Sequence, residues 1–169
     1  MRRHPRWILL VAFLLSGAAV GEVTAQGTAK GVAGKTACAL LSPADIKQIT
    51  GRSDVARSAG KPEEAPFTSN CLFMGAIDIT IHLGTQTKVM FVRERDTYAK
   101  APAKLGYKVE PISGLGDDAY YLSYSGKAEV RAMVGETELA VSLSGSLPPE
   151  PDAKKLTLGL AKAARNKLK

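Results

Sequence analysis

Three groups of residues in this 169-residue chain have types and spacings that could do chemistry. The first is Gly114-Leu115-Gly116-Asp117-Asp118-Ala119-Tyr120-Tyr121, two adjacent carboxylates between a glycine-punctuated turn and a tyrosine-rich strand. Together with Glu110 they would make a cation or acid–base site. Adjacent strand residues point to opposite faces, however, so neighbouring aspartates are poorly placed to share an ion. The spacing also fits no EF-hand loop. A sheet corner is the simpler reading. Gly114 and Gly116 supply turn positions with φ > 0, an Asp side chain ties the turn to its own backbone, and Ala119 and Tyr121 face the core.

The second group is aromatic. His82 alternates with isoleucines and lies on the strand face opposite to them. With no G-x-S-x-G elbow in the chain, a lone histidine on a wet face reads as a surface residue rather than a base. Tyr120 and Tyr124 share one face of their strand. If that wet face also carries His82, the three form a shallow aromatic surface of the kind interfaces favour. These residues are the candidate binding surface.

The third group is the cysteine pair, Cys38 and Cys71. Its meaning depends on compartment. "MRRHPR" is a basic n-region, Trp7 to Val20 an apolar core, and Val23-Thr24-Ala25 a small-x-small cleavage site, which together read as a signal peptide over residues 1–25. The apolar run is shorter than the roughly 20 residues a bilayer-spanning helix needs, so no transmembrane helix is expected in the mature form. In an exported chain, periplasmic or secreted, a single pair of cysteines reads as one intramolecular disulfide. Their spacing fits no zinc pattern. No cofactor or metal is expected.

Removing the leader takes away three arginines and one glutamate, and the formal charge falls from +7 to +5. The stretch from Asp152 to Lys169 holds six basic residues and one acid, so it carries that whole excess. A nucleic-acid binder would spread such charge over a folded face, so no nucleic acid is expected as a partner. Lys154, Lys155, Lys162 and Arg165 instead form one side of a terminal helix whose other side is apolar. That patch is a candidate for weak contact with an anionic envelope surface.

The elements that must position these groups follow from periodicity. Residues 26–36 are small and glycine-rich, a tether. Residues 37–169 then form one domain. Ser42 caps a short helix with Pro43 at its first position, Asp45 in its first turn and Gly51 at its end. Residues 52–70 read as a long loop, or an edge strand with a loop. Strands follow at 71–75 and 76–84, a charged helix near 86–101, and a short strand at 107–112. Three more strands lie between Asp118 and Gly145, with Ser-Gly and Gly-Glu turns between them. The terminal helix begins near Ala153. The order predicts an α+β single domain, an antiparallel β-sheet packed by helices on one face.

The "LLSPADIKQITG" helix after a cysteine, a second cysteine opening a strand, "ISGLGDDAYY", and "VRAMVGETELAVSL" before a terminal helix together resemble a family of small exported bacterial domains. Many of these are lipoproteins of the actinobacterial envelope, and their function is unknown. The likeness covers residues 37–168, with Gly114 to Ala119 its most specific part. This chain lacks the lipobox cysteine of many members. The resemblance implies export and this fold, and carries no catalytic residues. The expected function is a non-catalytic binding or interaction module of the envelope, its partner an envelope protein or a small ligand. A carboxylate-dependent hydrolase is the alternative.

Overall fold

The computed structural model describes residues 35–59, 63–65 and 67–168. The expected leader, and the tether up to its last two residues, lie outside these.

Helices α1 (Ala37–Leu40) and α2 (Pro43–Thr50) come first. Strands β1 (Ala56–Arg57), β2 (Glu63–Ala65), β3 (Thr68–Met74) and β4 (Ile77–Thr85) follow. Helix α3 (Lys88–Ala99) precedes a 3₁₀ turn at Ala103–Leu105 and strand β5 (Lys108–Pro111). Strands β6 (Asp118–Tyr124), β7 (Lys127–Val134) and β8 (Thr137–Gly145) lead to helix α4 (Glu150–Asn166).

The strands form one sheet in the order β1-β3-β4-β8-β7-β6-β5, with β2 also paired to β3. Every described pairing is antiparallel, so the α+β antiparallel fold read from periodicity is the observed one. Alternation sets the two faces. Cys71, Phe73, Ile79, Ile81, Tyr121, Val130, Leu139 and Val141 lie on the first face, buried with Leu40, Ile46, Leu160 and Ala164 of α1, α2 and α4. Cutting Ile81 or Leu139 back to alanine there costs about 2–5 kcal/mol.

Local chemistry explains the helix ends. Ser42 and Asp45 form a reciprocal capping box, and Gly51 closes α2 at φ 70°. α4 starts earlier than Ala153, because prolines at 149 and 151 suit a first helical turn. Its buried Thr157 hydroxyl donates to the Ala153 carbonyl at 2.7 Å, which leaves no unmade bond. Cys38 of α1 and Cys71 of β3 form the disulfide, with Cα atoms 4.9 Å apart. Cys71 sits within its strand rather than opening it.

Helix α3 refines the one-face expectation. α1, α2 and α4 cover the first face, but α3 lies on the second, where Phe91 packs with Tyr120, Leu122 and Met133. Phe91 is the single buried residue of α3. Without an apolar stripe, the helix carries no periodic sign of which face it covers. No described helix is long and apolar enough to cross a membrane.

Candidate functional site

Strand register orders the second face into rows. One runs Asn70, His82, Ala140, Arg131, Tyr120, and the next runs Leu72, Thr80, Ser142, Glu129, Leu122. α3 crosses the β5–β7 end of these rows. There Phe91 meets the Tyr120 ring at 5.2 Å, and Tyr98, Tyr107 and Tyr124 form a chain of tilted rings at 5.2 and 5.1 Å.

Under α3 sits a charge cluster. Arg131 Nη1 donates to Glu94 of α3 at 2.6 Å and to Glu138 of β8 at 3.3 Å, while its Nε donates to Glu129. Burial works against the charge on Arg131, but Glu129 and its neighbours more than restore it and raise the pKa. Glu138 moves the other way from a simple ion pair. Burial pushes its carboxyl up, and Arg131, shared with two nearer carboxylates, offsets only part of that. The Tyr120 phenol is raised by burial beside the same groups. Its hydroxyl is buried with no hydrogen-bond partner. Arg131 also lies over the Tyr98 ring at 5.8 Å.

This arrangement is a docking device for α3. One guanidinium gathers three carboxylates from three elements. Arg95 adds a second tie, donating to both Asp118 oxygens at 3.2 and 3.1 Å. Periodicity did not single out Arg131, Glu94, Glu129 or Glu138. The available signal was three charges facing one way in "AEVRAMV" and "TELAV", strands that are otherwise apolar.

The three residues of the candidate surface do share the second face, but they are not one exposed surface. Tyr120 is 0 % exposed beneath α3. Tyr124 is half-buried against Tyr107. His82 lies three strands away in Tyr120's row, half-buried, with Nδ1 2.6 Å from Asn70 Oδ1. The correction has one cause: the covering helix could not be assigned a face from its charges.

Over β3, β4 and the Ser142 end of β8 the second face is the less buried part of the sheet. Leu72 and Met74 of β3 are 39 % and 52 % exposed, and Thr80, His82 and Ser142 are half-exposed beside them. Met90 is 60 % exposed on the side of α3 that carries Glu94. The result is a trough three strands wide, roughly 10 Å between outer strands. Its floor is polar, and Leu72 and Met74 stand along its β3 rim.

The "GLGDD" corner is consumed by structure. Gly114 takes φ 78°, and a Cβ on Gly116 would stand 2.1 Å from the Met133 carbonyl oxygen. Asp117 accepts from the Gly135 amide, and Asp118 is held by Arg95. On α4, Lys154 pairs with Glu110 and lies 5.4 Å over the Tyr121 ring. The Arg165 Nε is buried, while Lys155 and Lys162 are exposed. Among the described residues no group of three or more His, Cys, Asp or Glu is placed to hold a metal ion. Comparison with protein-family models, curated proteins and solved structures finds no match for this chain.

Proposed function

We propose that this chain is an exported, non-catalytic interaction module of the cell envelope whose docking surface is the trough on the second sheet face. The observation that carries it is the exposure of Leu72 and Met74 beside a polar floor. Leu72 and Met74 are neighbours on one strand face, and an exposed apolar patch bordered by polar residues marks an interaction site. Methionine suits such a rim because its flexible thioether adapts to a partner. The matching partner is an envelope protein that places an apolar side chain on the trough, with hydrogen-bonding groups for Thr80, His82 and Ser142. Export is supported by the basic and apolar leader pattern and by the disulfide. Interaction is favoured over hydrolysis because Arg131 engages Glu94, Glu129 and Glu138, and turn or helix contacts engage Asp117 and Asp118.

A photo-crosslinking residue at position 74, with a control at position 155 on α4, tests this in envelope extract. The expected result is an adduct from position 74 only, lost when Leu72→Glu is added to a chain that still unfolds at the wild-type temperature. Equal adducts from both positions, or none from position 74, reject the trough as the docking surface.

A further inference from the structure

A cleft of about 300 Å³ opens at the tip of the β6–β7 hairpin, walled by Lys108, Tyr121, Ser123, Tyr124, Lys127 and Glu150. That is the lower end of the roughly 300–1,000 Å³ range of ligand pockets, room for one ring rather than a chain. Tyr121 is fully buried among the first-face core, yet its hydroxyl has no hydrogen-bond partner. A phenylalanine would fill the same volume without leaving a polar atom unmade, so this hydroxyl calls for an explanation. Burial raises its pKa, and the groups that also act on it include Ser123, Glu150 and Lys108. Tyr121 and all three of these residues line the cleft.

The other polar groups are loosely committed. Ser123 Oγ reaches Glu150 Oε1 at 3.4 Å, the long limit for such a bond. Lys108 pairs with Glu150 and holds its carboxyl below the usual range, so Glu150 is an ionised acceptor. A ligand here must accept from Tyr121 or Lys108 and also donate to Glu150. A hydroxyl does both, whereas an anion meets Glu150 and a cation meets Lys108 and Lys127. Leu147 and Pro148 supply an apolar wall for the C–H face of a ring. The N-terminus of α4 adds little, because Pro149 offers no capping side chain and Pro151 has no N–H.

We infer that this cleft binds a single saccharide ring, an uncharged, hydroxyl-rich ligand held between Tyr121, Ser123, Lys108 and Glu150 and laid against Leu147 and Pro148. The site is separate from the trough, so either reading can fail alone.

The test is heteronuclear NMR of the disulfide-bonded protein titrated with glucose, N-acetylglucosamine and inorganic phosphate in separate arms. The expected result is saturable shifts at Tyr121, Ser123 and Ala153 with at least one sugar, and none with phosphate. Tyr121→Phe weakens that sugar's binding about tenfold, as loss of one hydrogen bond implies, without lowering the unfolding temperature. Ser123→Ala weakens it as well, and it serves if the Tyr121 variant misfolds. No shift with either sugar up to roughly 50 mM, beyond the weakest affinities of interest, overturns the inference. So does a shift with phosphate alone, or sugar binding that Tyr121→Phe and Ser123→Ala both leave unchanged.

Discussion

Asp117 accepts the backbone amide of Gly135 at 2.7 Å, so the first carboxylate of the glycine-rich corner closes the turn of a different hairpin. Its own amide donates to the Met133 carbonyl at 2.8 Å. The corner before β6 and the β7–β8 turn are thereby one unit, and Gly116 lets their backbones touch.

Gly116→Ala should therefore destabilise strongly, by about 3 kcal/mol or more, because the new methyl group meets backbone that cannot move aside. Asp117→Ala should cost about 1 kcal/mol, the worth of one exposed hydrogen bond. Urea unfolding of both variants checks this. An unchanged midpoint for Asp117→Ala would mean that the tie carries no stability.

The Cys38–Cys71 bond closes a span of 33 residues. Loop-closure entropy assigns it about 3–4 kcal/mol. Denatured protein purified without reductant should titrate no thiols, and Cys38→Ala with Cys71→Ala should lower the unfolding midpoint accordingly. Two titratable thiols would sink the pairing.

The cluster beneath α3 predicts a pH signature. Arg131→Met leaves three carboxylates facing one another under the helix, at a cost of about 3–5 kcal/mol near neutral pH. That cost should shrink at lower pH, since burial already raises the Glu138 carboxyl and its protonation removes one of the facing charges. Unfolding measured near neutral pH and at lower pH decides it, and an equal cost at each would mean that the cluster carries no net charge stress.

The wild type should show two opposite slopes. Glu138 is raised above 4.5 in the native state, so its contribution is greatest below that value and declines as pH rises through the native pKa. Asp45 is held at about 2, first by Lys167 and then by Ser42, so its contribution is full above 3.8 and lost as pH falls towards 2. With a side chain 31 % exposed, Asp45 is worth on the order of 1 kcal/mol after solvent screening. Asp45→Asn should flatten the acid limb and leave the upper slope untouched.

Local chemistry was the legible part of this chain. Ser42, Pro43, Asp45 and Gly51 announce α2, and the alternation of Ile77 to Leu83 announces β4, because caps and pleats act over a few residues. The disulfide was legible because two cysteines allow one pairing. Long-range ties were not. Arg95 meets Asp118 across 23 residues and Arg131 meets Glu94 across 37, and charges of this kind look solvated until the sheet brings them together. Tyr120 reads as exposed from its strand face alone for the same reason, although α3 buries it. The four-residue α1 was also missed, since it depends on burying Ala37 and Leu40 rather than on helix signals of its own.

The Lys167 amine reaches Asp45, and the Lys35 amine reaches the Lys167 carbonyl, so both ends of the described chain meet on the sheet's first face. The trough opens on the opposite face. A support that holds the surface around Lys35 and Lys167 therefore leaves Leu72 and Met74 turned away from it. The same adjacency means that the chain could be cut at the β6–β7 tip and rejoined end to end without crossing the face that we propose meets a partner.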